Sequence, residues 1–219
     1  MLVGNDSALM DAIEAEASKR AERYALALIP NRFSLSREIT SDSGVSSKDA
    51  RVVVDWKPGS AVSARALVVA AKNRVGRIDE AILVCAPPHV RRAVTALKPV
   101  DVEVLMNDHV KSWFFLAQEL AAEFKERKQG SLILVFPEAS GGKDGAPDIL
   151  GSVALGAFRA LSIGLLAMAS DEEYFAQGFT GDEAGNEAGF AGFIFKQLDD
   201  TRRRVNGKLH KFGKSGFFK

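Results

Sequence analysis

The stretch from Ser131 to Met168 constrains this chain more than any other. It opens with the wholly apolar run Leu132-Ile133-Leu134-Val135-Phe136. It passes through a Gly/Pro/Asp loop, Pro137 to Pro147, and closes in a long apolar helix, Gly151 to Ala169. A short run of β-branched and large apolar residues between turn signals reads as a strand buried on both faces. Such a strand needs a covering layer on each side, which places it mid-sheet in an α/β domain. Ligands of open α/β sheets bind beyond the carboxyl ends of the strands. Chemistry is therefore expected around Pro137, Glu138, Ala139 and Ser140.

The rest of the chain alternates strand and helix patterns. Leu2-Val3 reads as a first strand, with Ser7 or Asp6 capping a helix over Ala8 to Arg23. Further strands are expected at Tyr24 to Ile29, Ala50 to Val54, Ile78 to Val84, Glu173 to Gln177 and Gly207 to Phe212. Further helices are expected at Ala61 to Asn73, Leu105 to Lys128 and Phe190 to Thr201. This order predicts one α/β domain over residues 1–219, with a doubly wound, mostly parallel sheet and helices on both faces.

Composition narrows the function classes. A net charge of +1 over 219 residues gives no bulk field for nucleic acid or membrane. No uninterrupted apolar run reaches membrane-spanning length, and no basic-then-apolar leader opens the chain. A single cysteine, Cys85, cannot form an intramolecular disulfide, so a cytoplasmic setting is the expectation. His89, His109, His210 and Cys85 lack metal-ligand spacing, so no metal is expected.

Four stretches carry a family likeness: Val75-Gly76-Arg77-Ile78-Asp79 before Leu83-Val84, Lys111 to Gln118, Gly130-Ser131-Leu132-Ile133, and Asn206-Gly207-Lys208-Leu209. In this order and spacing the chain resembles the short-chain dehydrogenase/reductase family over nearly its whole length. The resemblance implies a Rossmann-like fold. The family's chemistry is not matched. Of its three turn glycines only Gly4 is present, with Ala8 and Met10 where the later ones would stand. Cys85-Ala86-Pro87-Pro88 replaces the family's Asn-Asn-Ala-Gly, and the two prolines remove backbone donors. By ungapped count the family's catalytic Asn falls on His109 and its Ser on Pro137 or Glu138. Its Tyr falls near Leu150 and its Lys at Ala154. Leucine and alanine cannot transfer or tune a proton. Too few residues follow Gln177-Gly178-Phe179 for the family's substrate lid. The cofactor candidates that remain are Gly4, Asp55, which stands at the family's adenine-pocket Asp, and Arg32, which could pair with a 2′-phosphate. The plainer readings, a helix cap for Asp55 and a solvated loop charge for Arg32, rank ahead of nucleotide contacts.

The acid/base candidates are His109 and Glu138, with Asp108 and Ser140 nearby in the expected fold. Cys85 reads as a small buried hydrophobe. Trp113, Phe114 and Phe115 turn through about 200° of helix, more than one face can hide on a sheet. In the resembled family, this helix (105–128) and the next (151–169) pair across a twofold axis. That implies a homodimer or homotetramer through Trp113, Phe114, Phe115 and Phe158, or pairing with an active relative. The basic, Phe-rich tail after Arg202 reads as a last strand and a dimer-stabilising arm; nucleic acid and membrane are not expected partners. The functional expectation is a degenerate family member without oxidoreductase activity and without a cofactor, acting as an oligomeric binding or regulatory protein. The alternatives are an NAD(P)-dependent oxidoreductase with an atypical site built on His109 and Glu138, and a ligand sensor without turnover.

Overall fold

The computed structural model describes residues 1–33, 50–87, 89–90, 92–138, 148–182, 185–200 and 205–213. Seven strands form one sheet: β1 (Leu2–Asn5), β2 (Tyr24–Ile29), β3 (Arg51–Val53), β4 (Glu80–Val84), β5 (Ser131–Pro137), β6 (Phe175–Gly181) and β7 (Lys208–Phe212). Their order is β3-β2-β1-β4-β5-β6-β7, and all the pairings are parallel. The order reverses between β1 and β4, which defines a switch point at the carboxyl edge. The expected doubly wound α/β architecture is what forms.

Side chains alternate between the two faces with the strand period of two. Val3, Ala25, Ala27, Leu83, Cys85, Leu132, Leu134 and Phe136 face one layer. That layer holds α2 (Ala61–Val75), α4 (Ser112–Arg127) and α5 (Ile149–Met168). Leu2, Leu26, Ile82, Val84, Ile133 and Val135 face the other, formed by α1 (Ala8–Arg20) and α6 (Glu187–Asp199). From Ser131 to Phe136, β5 is buried residue by residue, as its unbroken apolar run requires.

Several sequence expectations are corrected. The single helix over Leu105 to Lys128 is three pieces: α3 (Pro99–Leu105), a π segment (Met106–Lys111) and α4. Ser112 Oγ donates to the Asn107 carbonyl at 2.6 Å, so a side chain takes up backbone capacity where the helix widens. The sixth strand runs later than the expected end at Gln177, because Gly178 and Phe179 go on pairing with Leu134 and Val135. Trp113 and Phe158 are removed from the interface list. Both are buried within this chain, with ring centroids 5.1 Å apart, and Trp113 also meets Trp56 at 6.4 Å. Phe114 is exposed and Phe115 half-buried, so the aromatic run does turn past its own core. Ile149–Asp171 is long and apolar enough by composition to cross a bilayer, with Arg159 interrupting its apolar run and a third of its most apolar window buried inside the fold. Ser140, Arg202 to Arg204 and the tail beyond Gly213 lie outside the described residues.

Trp113 fills the layer between sheet and helices, and truncating a buried aromatic removes transfer energy and leaves a void. Trp113→Ala is expected to cost about 3–5 kcal/mol in urea unfolding.

Candidate functional site

The carboxyl edge at the switch point is built around Asn5, the last residue of β1. Asn5 is buried, and its Oδ1 accepts from Ala86 N, just beyond β4, at 3.2 Å. That bond fixes the amide orientation, so Nδ2 faces His109 Nδ1, at 3.4 Å. An amide NH2 only donates, so the neutral imidazole carries its proton on Nε2. Nε2 is buried and has no partner among the described residues. Burial pushes His109 down to about 4.

Asp108, the preceding residue of the π segment, is also fully buried. Arg32 Nε lies 3.2 Å from its Oδ2, close enough for an ion pair but misaligned for a hydrogen bond. Among the described residues both carboxylate oxygens lack one, and burial raises the Asp108 pKa against the opposing pull of Arg32. Arg32, the candidate reader of a 2′-phosphate, thus pairs with an internal carboxylate. The ring of the next residue, Phe33, stacks on His109 at 6.1 Å with an interplanar angle of 25°.

The positions counted onto the family's Tyr and Lys, Leu150 and Ala154, sit in the first turns of α5. They are buried in a small apolar cluster with Val90 and Leu105, against which Phe33 and Leu97 pack. The glycine turn is likewise filled. A Cβ at residue 4 would approach the Met10 Sδ to 2.8 Å, so Gly4 makes room for a buried methionine. Ser7 caps α1, its Oγ accepting from Met10 N at 3.2 Å. Asp11 in the first turn has a raised pKa, from burial and from the neighbouring Asp6 and Glu14. A backbone donor used by its own cap, beside clustered acids, is a poor seat for a pyrophosphate.

The remaining candidates are dispersed. Glu138 pairs with Lys211 of β7 at 2.8 Å and is not joined to His109. Asp55 is exposed beyond β3, and Ser60, not Asp55, caps α2. Asn5 and Phe33 were not singled out by sequence. Asn5 follows the one turn glycine and Phe33 follows Arg32, but neither type signals a role by itself. An exposed pair was also missed: His89 Nδ1 meets Asp148 Oδ2 at 3.1 Å, while Asp148 Oδ1 accepts from Gly151 N and caps α5.

No family model and no curated protein matches the chain. Solved structures do. A short chain dehydrogenase from Mycobacterium smegmatis superposes with a TM-score of 0.71 over 98% of this chain and 92% of its own, at 14% identity. A short-chain dehydrogenase/reductase from Serratia marcescens gives 0.69 over 96% and 94%, also at 14% identity. ElxO, solved with NADP bound, gives 0.70 over 96% and 95%, at 12% identity. The fold is that of the short-chain dehydrogenases/reductases. At this identity the likeness concerns the backbone. Where that fold offers a crevice at the switch point, this chain places Asn5, Met10, Phe33 and the Leu150 cluster.

Acid stability reads out the buried imidazole. The unfolded chain takes up the His109 proton near pH 6.5, while the folded chain resists until about 4, so stability falls across that window. Asp108 acts with the opposite sign, because its raised folded pKa adds stability as the pH falls. Between pH 7 and pH 5 the wild type is expected to lose about 2 kcal/mol more than His109→Asn in urea unfolding.

Proposed function

We propose that this chain is a degenerate relative of the short-chain dehydrogenases/reductases. In this reading it has given up oxidoreductase catalysis and serves as an oligomeric binding or regulatory protein in the cytoplasm. The observation that carries the reading is the apolar cluster at the start of α5. Leu150 and Ala154 stand at the counted Tyr and Lys positions and are buried against Val90 and Leu105. No proton can be exchanged or tuned from such a cluster. Met10 over Gly4 and the acids at the head of α1 support the same reading on the cofactor side.

Oligomerisation rests on the outer face of α4 and α5. Phe114, Val153, Ile163 and Met168 are exposed. Ala160 and Gly164 lie on the same exposed side of α5 and leave it flat enough for a close helix approach. A second copy of this chain, or an active relative presenting the same helices, would cover that face through a twofold contact.

Two measurements test the proposal. Titration calorimetry with NADH and NADPH is expected to give no heat at millimolar cofactor. Micromolar binding, about −8 kcal/mol, would overturn the non-catalytic reading. Glycine at positions 8 and 10 together is expected not to restore binding, because Asn5 and the Leu150 cluster remain. In sedimentation velocity the wild type is expected to run as a dimer or tetramer, and Ala160→Arg as a monomer with an unchanged far-UV spectrum. A monomeric wild type would remove the oligomer from the proposal.

A further inference from the structure

The segment Asn31–Phe33 leaves the carboxyl end of β2 and contacts the π segment that leads into α4. In the strand order β2-β1-β4, that path crosses the end of β1, where Asn5 lies. The segment is shaped locally for the crossing. Asn31 Oδ1 accepts from Phe33 N at 3.2 Å, and Arg32 N donates to the Pro30 carbonyl at 3.1 Å. It makes two contacts with successive residues of the π segment: Arg32 on Asp108 and Phe33 on His109.

The cover is incompletely satisfied. Beneath it, both Asp108 oxygens and His109 Nε2 are buried without a hydrogen bond among the described residues. Buried polar atoms lacking partners oppose the closed arrangement, since opening would return them to water or offer them to a ligand. The Phe33 ring is only half-buried, and it lies between an imidazole face and the apolar Val90–Leu105–Leu150 cluster. That is the environment a planar aromatic ligand would want, with one stacking face, an apolar wall and a carboxylate within reach of a donor.

The geometry points to Asn31–Phe33 as an autoinhibitory strap. Phe33 occupies a ring-binding slot on His109 as an internal ligand, Arg32 latches it to Asp108, and the slot is specific for a planar aromatic ligand carrying a hydrogen-bond donor. This goes beyond the loss of catalysis and does not depend on it. The chain would hold a masked binding site rather than a permanently filled one.

The test uses the three histidines as reporters of exposure. Diethyl pyrocarbonate acylates accessible neutral imidazoles, and mass spectrometry resolves each site. His89 is 83% exposed and serves as the reactive standard. His210 is buried, stacks on Phe179 at 4.9 Å and also has an Nε2 without a partner among the described residues, so it serves as the protected standard. In the wild type at neutral pH, His109 is expected to react as slowly as His210. In Phe33→Ala and in Arg32→Ala, His109 is expected to react about tenfold faster while His210 stays protected, as local opening requires. Millimolar indole is expected to restore protection of His109 in Phe33→Ala by filling the vacated slot. Continued protection of His109 in both variants would overturn the strap. A parallel rise at His210 would do the same, because it marks general loosening. Failure of indole to restore protection would overturn the ring slot. None of these readouts involves a nicotinamide cofactor, so they stand or fall separately from the calorimetry above.

Discussion

An all-parallel sheet must be covered on both faces, and every other feature of this protein follows from that requirement. β5 is apolar throughout and bonded on both sides, by β4 and by β6. It cannot lie against water on either face, so helices occupy both layers. The connections between parallel strands then carry each chain segment across the sheet and back. Strand ends and helix starts gather at one edge. At the switch between β1 and β4 the flanking helices diverge, and this leaves a crevice in which backbone and side-chain polar groups need partners.

What distinguishes this chain is how it meets that need. Asn5 ties the end of β1 to the backbone beyond β4 and to the π segment in one step. Met10 enters over Gly4, and a small apolar cluster grows from the first turns of α5 toward Val90 and Leu105. These are ordinary packing devices placed where the fold has its characteristic opening. They leave an imbalance in one spot. Asp108 and His109 are buried side by side, with a misaligned ion pair and an aromatic ring as their main company. Some polar groups elsewhere are well served, although His210 Nε2 and the Trp56 and Trp113 indole nitrogens also lack partners among the described residues. Asn206, for example, bonds four backbone groups between β6 and the end of α5. What sets the switch point apart is that two adjacent ionisable residues, Asp108 and His109, are left with unpartnered atoms together, among the described residues.

The layered fold was legible because its signals are local and repeated. Unbroken apolar runs, turn residues and helical periodicity each report on a few neighbouring positions, and seven strands along the chain came from them. Where one signal could be read two ways, the reading slipped. The sixth strand was expected to end at Gln177, yet Gly178 and Phe179 continue its pairing along β5. The apolar continuity from Leu105 to Lys128 hid the π segment, since a change in hydrogen-bond pattern leaves no mark on hydrophobic spacing. Trp113 and Phe158 looked like interface residues from the family likeness, and the depth of the core claimed them.

The sequence by itself determined the α/β layering, the buried central strand and the absence of a Tyr–Lys pair from the start of α5, because these depend on residue types at fixed positions. Only the tertiary structure decided which residues meet at the switch point. Arg32 and Asp108 are far apart in the chain, as are Asn5 and His109, and neither pair has a local pattern that announces it. Their meeting depends on strand order and on the path of the chain after β2, and those are fixed by the packing of the whole sheet. The fate of the site was therefore written in contacts that only the folded chain could bring together.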